Sequence, residues 1–385
     1  MRIFGSTLPA ARAVKLASRA RADSHRSLPA EERGLKIGIF LPNWVGDVAM
    51  CTPTLRALRR HFGSQARLIG VVRPSVADVL AGTPWLDEQL LFDRKSSDPG
   101  QHAAAVGRAL RQRKVDTVVL LNHSLRSALI AWRSGARQRA GYVRRGRGLL
   151  LTHKLYPARL GHKRLPVPAI DEYLQLAYAL GAELESPRLE LATLPADEAA
   201  ADAVWRKWNL PGGEQVVVLN SGGAYGAAKL WPSEHFADLA RRIVTQSGFS
   251  VLVTCGPAER EVARQIVARA RHPRVVSLAD ELLSIGLTKA CIRRGRLLVT
   301  TDSGPRFFGV AFGLPVISLF GPTDPAWTRT HYAGETVLSH AISCRPCGRR
   351  TCPLGHHDCL RKLSVERVYA AVREKLEEPR SVQAA

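Results

Sequence analysis

No apolar run in the 385-residue chain approaches the ~18 residues of a membrane span. The N-terminus also lacks the apolar core of a secretory signal, so export is not expected. Acidic residues are scarce: 33 Asp and Glu stand against 56 Lys and Arg, a formal net charge of +23. Such an excess implies acidic partners. Aromatics are only 6%, the charge is spread along the chain, and none of the common nucleic-acid modules is present. Nucleic acid is therefore not expected as a partner. An anionic membrane surface fits the same charge, and so does free use of Arg by a GC-rich genome. Residues 1–33 are Arg-rich with few large apolar side chains. They read as a disordered basic arm, with a weak amphipathic helix as the alternative, and are set aside from the fold.

What is present is a soluble-type α/β pattern. Hydrophobic residues make up 45%, and the length suggests two domains, each burying its own core. Short β-rich runs alternate with helical patterns. Strands are predicted at 36–41, 67–72, 90–93 and 117–121, then at 216–220, 250–255, 274–278, 297–301 and 315–320. Continuous apolar runs separated by helices indicate buried parallel strands. The alternation pauses over 186–215, which holds Pro187, Pro195, Pro211, Gly212 and Gly213, so a domain boundary is placed near 190–212. A last helix is predicted at 364–378, with Val365, Val368, Val372 and Leu376 on one face.

The most informative segment is 297–322, LLVTTDSGPRFFGVAFGLPVISLFGP. A strand runs directly into Asp302-Ser303-Gly304. Pro305 suits the first turn of a helix and Gly313 its stop, and a second strand follows. This βαβ unit aims a helix N-terminus beyond the strand ends, a position that favours anions such as a nucleotide diphosphate. Two further segments carry chemistry. In LPNWVGDVAMCTPTLRALR (41–59) a strand meets a turn and a helix at Asp47. SGGAYGAAKLWP (221–232) is a glycine-rich loop that ends at Lys229.

Together these three segments resemble the lipopolysaccharide heptosyltransferases. CRPCGRRTCPLGHHDC (344–359) is similar to a Cys-rich segment of the branch related to heptosyltransferase II. The resemblance covers residues 36–375. It implies an inverting, metal-independent glycosyltransferase that uses ADP-L-glycero-D-manno-heptose. The implied fold is GT-B, two doubly wound Rossmann-like domains facing a cleft. The expected division is an acceptor-binding domain at 34–195 and a nucleotide-sugar-binding domain at 196–363 that includes the Cys-rich segment. The C-terminal helix and tail follow at 364–385. In the family such a helix packs back on the N-terminal domain.

Asp47 sits at the first βα turn, where a carboxylate can take the proton of an attacking hydroxyl; a helix N-cap is the structural alternative. By resemblance it is the catalytic base. Backbone amides of the 220–226 loop can approach a phosphate closely, and Lys229 would neutralise charge on the departing ADP. Ser221 is a candidate donor to the same phosphates. Ser303 and Gly304 offer amides at a helix N-terminus, and Arg306 adds a cation one turn in. Asp302 would repel a diphosphate, so a sugar hydroxyl or the surrounding loops suit it better. Glu259 is placed either on the ribose hydroxyls or as a first-turn acid. Phe307 stands where the family often has a histidine and can neither donate a hydrogen bond nor hold a proton. Arg56, on the outer face of the helix after Asp47, and Arg126 and Arg144 are candidates for acceptor phosphates.

Cys344, Cys347, Cys352 and Cys359 form C-x2-C-x4-C-x6-C. A structural zinc site, disulfides and packing thiols compete to explain them, and the zinc site is taken as the working expectation. No Asp-x-Asp metal motif stands at a strand end, and no cofactor is expected in catalysis. The resemblance thus points to an ADP-sugar donor and an acidic, phosphorylated glycolipid acceptor. It also points to a cytoplasmic location, peripheral on the inner face of the plasma membrane. The alternatives are a same-fold transferase with another donor or acceptor, or a non-catalytic basic binding protein that associates with membranes or nucleic acid.

Overall fold

Aliphatic and β-branched runs build two parallel sheets of the same design. The first half runs β1 (Lys36–Phe40), α1 (Val45–Met50), α2 (Thr52–Phe62), β2 (Arg67–Val72), β3 (Glu88–Leu91), α3 (Ala103–Gln112), β4 (Thr117–Leu120), α4 (Leu125–Arg133), β5 (Gln138–Tyr142) and β6 (His153–Leu155). A small hairpin, β7 (Arg159–Leu160) and β8 (Lys163–Arg164), then leads to α5 (Ala169–Tyr178). The second half runs α6 (Pro195–Lys207), β9 (Val216–Asn220), α7 (Ser233–Arg242), β10 (Ser250–Thr254), α8 (Arg260–Ala270), β11 (Val275–Ser277), α9 (Ile285–Arg294), β12 (Leu297–Thr301), α10 (Gly304–Ala311), β13 (Val316–Phe320) and β14 (Glu335–Ser339). It ends with α11 (Asp358–Arg361) and α12 (Val365–Glu377). This computed structural model describes residues 34–223 and 226–378. The basic arm expected at 1–33 lies outside the described residues.

Both sheets are parallel throughout and share one strand order, β3-β2-β1-β4-β5-β6 in the first and β11-β10-β9-β12-β13-β14 in the second. The order reverses between β1 and β4, and again between β9 and β12. Crevices beyond the strand C-termini at such points are where ligands bind in doubly wound sheets.

The two-residue period of a strand sends alternate side chains to opposite faces. On β9, Val217 and Leu219 join a core beneath α7, α8 and α12. Val218, between them, joins a different cluster, which also holds Ile37, Ile39 and Val119 of the first sheet together with Phe307, Phe308 and Val316. One apolar cluster therefore spans both sheets. A third cluster, around Phe40, Val118 and Leu120, closes the outer face of the first sheet.

Several details differ from the sequence reading. The strands β5 (QRAGY), β6 and β14 (ETVLS), and the β7–β8 hairpin, carry too many polar residues to read as strands. The helix after Asp47 is two helices, α1 and α2, which meet at Cys51, with Pro53 in the first turn of α2. The Pro-rich stretch 186–215 contains α6. Pro195 opens it, and the Asp197 carboxylate accepts the Leu194 amide at 2.9 Å. The terminal helix α12 does not return to the first half. Val365, Val368, Tyr369 and Val372 pack into the second-sheet core, because that core is completed by α7 and the outer faces of β12 and β13. Among the described residues no helix is long and apolar enough to cross a membrane.

Candidate active site

Asp47 lies in the first turn of α1, just beyond β1, with Trp44 in the N-cap position. Two glycines let α1 meet α10 end to end. A Cβ on Gly46 would come within 2.6 Å of the Phe307 ring, and one on Gly304 within 2.8 Å of Val45. Gly46 is thus needed for close approach. This contact places Asp47 opposite Lys229 and Asp302 of the second half, within electrostatic reach of both. Burial pushes the half-buried Asp47 carboxyl up to about 6. Lys229 pulls against that shift and Asp302 adds to it.

Lys229 and Asp302 form one unit. The ammonium lies 2.5 Å from Asp302 Oδ2 and 3.2 Å from the Asp302 carbonyl. Thr323 Oγ1 donates to the same carboxylate oxygen at 2.7 Å. Ser221 is buried just after β9, and its hydroxyl has no hydrogen-bond partner among the described residues. Ser303 occupies the N-cap position of α10 without a side-chain capping bond, and Gly304 is the helix's first residue. Asn220, which the sequence reading passed over as the start of the loop, ties these segments together. Its amide donates to Ser303 Oγ at 2.9 Å, Thr300 Oγ1 at 3.1 Å and the Gly222 carbonyl at 3.3 Å. A polar residue closing an otherwise apolar strand was the available signal.

Glu259 faces the glycine-rich loop. Its carboxylate accepts the amides of Gly223 at 2.9 Å and Gly256 at 2.6 Å. A Cβ on Gly222 would sit 2.3 Å from that carboxylate. The group thus ties the glycine-rich loop, through the Gly223 amide, to its own turn after β10, through the Gly256 amide.

Two arginines expected to face a ligand are held by the chain's own carboxylates, and Arg306 also lies 3.8 Å from Asp302. Arg306 is buried; its guanidinium grips Glu335, donates to Thr328 Oγ1 at 3.0 Å, and stacks 4.9 Å from the rings of both Phe307 and Phe320. Burial pushes the Glu335 carboxyl up, but hydrogen bonds from Arg306, Ser318 and Thr330 outweigh it and hold the group below its usual range. Arg56 is not on an outer face. It is 4% exposed and is held by Glu185 and Glu190 at 3.2 Å each and by the Ser186 carbonyl at 2.7 Å. It therefore fastens the 185–190 segment to α2.

Arg126 is exposed at the start of α4. Arg144 reaches Glu172 at 3.1 Å, and Arg164, which the sequence reading missed, reaches it at 2.6 Å. His123, also missed, follows β4 at the switch point of the first sheet. Burial, then Arg144, Arg147, Arg164 and Arg145 in that order, push its imidazole down to about 3, so it stays neutral amid cations. The first-sheet crevice is thus rich in positive charge, legible only once β5 and the hairpin are in place.

Cys344, Cys347, Cys352 and Cys359 line one small cavity with His356 and His357. All are free thiols. The expected zinc site is not formed. Among the described residues no three His, Cys, Asp or Glu side chains are placed to hold a metal ion. Cys352 is engaged by backbone amides of its own loop, that of His357 foremost, which hold its thiol below the usual range. The segment instead buttresses the Lys229 turn: the Ala228 amide donates to the Arg350 carbonyl at 3.1 Å, and the Gly348 amide to the Pro322 carbonyl at 2.8 Å.

Two face-to-face doubly wound sheets with their switch points on a common cleft are the architecture of a GT-B glycosyltransferase. The lipooligosaccharide heptosyltransferase 2 of Campylobacter jejuni is 25% identical over 349 residues, 88% of this chain and 99% of the relative. The lipopolysaccharide heptosyltransferase 2 of Escherichia coli K12 is 25% identical over 353 residues, 87% and 96% of the two chains. The solved structure of E. coli ADP-heptose LPS heptosyltransferase II is similar in fold, with TM-score 0.71 and 22% identity over 89% of this chain and 98% of that one. Residues 103–357 match glycosyltransferase family 9 (heptosyltransferase), and the chain belongs to that family.

Proposed function

We propose that this glycosyltransferase moves heptose from ADP-L-glycero-D-manno-heptose to a hydroxyl of a lipopolysaccharide inner-core acceptor, with inversion, as a heptosyltransferase II. The acceptor is held by residues 34–195 and the donor by 196–363. The observation that carries this reading is Asp47 facing Lys229 and Asp302 across the two switch points, with its carboxyl at about 6. A carboxylate of that basicity is ionised at neutral pH and basic enough to accept a proton in the transition state.

The acceptor oxygen forms its bond to the anomeric carbon as the bond from that carbon to the ADP oxygen breaks. The hydroxyl proton passes to Asp47. Charge growing on ADP is met by Lys229, the Ser221 hydroxyl and the amides at 303–304. Asp302 orients Lys229, and Glu259 holds the loop that cradles the phosphates. This assignment gives the cationic work to the chain's own groups, so no metal ion is needed at the diphosphate. Arg126 and Arg144, with Arg164, suit phosphates of the acceptor. A formal charge of +23 suits a cytoplasmic enzyme resting on the anionic inner face of the plasma membrane.

The test is a panel of nucleotide sugars, ADP-heptose included, assayed for transfer to heptosylated inner-core glycolipid in excess EDTA. Transfer from ADP-heptose with the chelator present is the expected result. Transfer from another sugar alone would reassign the donor. Activity restored only by Mg²⁺ or Mn²⁺ would overturn the metal-free mechanism.

A further inference from the structure

Lys289, on α9, takes no part in the chemistry above, yet it is completely buried. Its ammonium donates to the carbonyls of Ala192 at 2.7 Å, Asp78 and Ala81 at 3.2 Å each, and Val79 at 3.3 Å. Asp78, Val79 and Ala81 lie at the end of the helical turn Pro74–Leu80 in the first half, and Ala192 lies on the connection into α6. Burying an ammonium is costly unless its N–H groups find acceptors. Here the acceptors are main-chain oxygens at the negative end of a helical turn. A flexible four-carbon stem thus carries a cation from one half into a carbonyl cage built by the other half and the connector.

The cage is well anchored. Gly82, with φ +83, turns the chain just after it, where a Cβ would meet Ala192 at 3.2 Å. On the far side of α9, Arg294 pairs with Glu198 at 2.8 Å and Asp202 at 2.6 Å, which ties α9 to α6. α9 also packs on α10, whose N-terminus faces Asp47. Any rotation between the halves must therefore draw Lys289 out of its cage or bend α9.

We propose that Lys289 is a positioning residue for glycosyl transfer, an interdomain pin that sets the angle at which Asp47 of one half meets Lys229 and Asp302 of the other. The proposal rests on the assignment of Asp47 as base. Small misplacements of a reacting group cost rate far more than they cost affinity.

The test compares wild type, Lys289→Met and Lys289→Gln in the full chain. Met fills the volume without a donor, and Gln keeps two N–H groups. Lys289→Met is expected to lower kcat by about 10- to 100-fold, with the calorimetric ADP Kd within about twofold, since the donor loops belong to one half. Lys289→Gln is expected to fall between the two in kcat. Small-angle scattering of Lys289→Met should show a broader spread of interdomain separations than wild type. Unchanged kcat, parallel loss of kcat and ADP affinity, or failure of both variants to fold would each overturn the pin. If wild type transfers no heptose, the functional reading fails instead. The scattering comparison still decides the pin in that case, and unchanged scattering overturns it.

Discussion

Lys229 and Asp302 hold each other at 2.5 Å, directly across from Asp47. The ammonium and the carboxylate act on Asp47 with opposite signs. One lowers its proton affinity and the other raises it, while burial dominates both.

The pH–rate profile is where this relationship becomes measurable. With Asp47 at about 6, kcat/KM should rise with pH through an inflection near that value and then level off. Asp302→Asn removes a negative charge and should move the inflection to lower pH. Lys229→Met removes a positive charge and should move it higher, as well as slowing transfer. Profiles that shift together, or not at all, would detach the base from this pair.

Asp47→Asn should cut transfer by about 10²–10⁴-fold and leave ADP affinity nearly unchanged. The stability effect has a definite sign. A carboxyl raised from 3.8 to about 6 on folding binds more protons in the native state between those values, so its contribution declines as pH rises through 6. The Asn variant should therefore gain on wild type in melting temperature between pH 4 and pH 8. Calorimetric scans at the two pH values check it.

Lys229→Ala should weaken ADP binding, because a charge-assisted contact to phosphate is lost, worth roughly 1.5–3 kcal/mol. It should slow transfer further, since charge on the leaving oxygen grows along the reaction. Titration calorimetry showing wild-type ADP affinity would remove Lys229 from the phosphate site.

Gly46→Ala drives a methyl into the Phe307 ring, at 2.6 Å. Overpacking of this kind costs roughly 1–3 kcal/mol and should separate α1 from α10, lowering kcat. Adding Phe307→Leu to Gly46→Ala should recover both stability and rate. A double-mutant cycle with no coupling would show that this contact does not set the site.

Most of the fold was legible in the sequence because its central strands are continuous aliphatic runs. VVVLN, LLVTT and TVVLL read as buried parallel strands and are buried parallel strands. The edge strands were not legible. QRAGY leaves two of its five residues short of burial and ETVLS four of its five, and no local pattern marks them. In the candidate site, Asp47, Lys229 and Asp302 stand where turn chemistry put them. Arg306 and Arg56 are buried and paired with carboxylates of the chain, because an arginine's partner is set by tertiary packing. Glu335 and Glu185, which capture them, lie 29 and 129 residues away in sequence. The same holds for α12, whose apolar face was readable while the surface that receives it was not.

The apolar cluster shared by both sheets has a consequence for how this protein comes apart. Ile37 and Ile39 of one half and Val218, Leu298 and Phe308 of the other belong to a single packed unit. Either half made alone would turn that surface toward water. Denaturation should accordingly proceed as one cooperative transition with coincident fluorescence and circular-dichroism midpoints, and a chain divided between α5 and α6 should aggregate unless both fragments are refolded together.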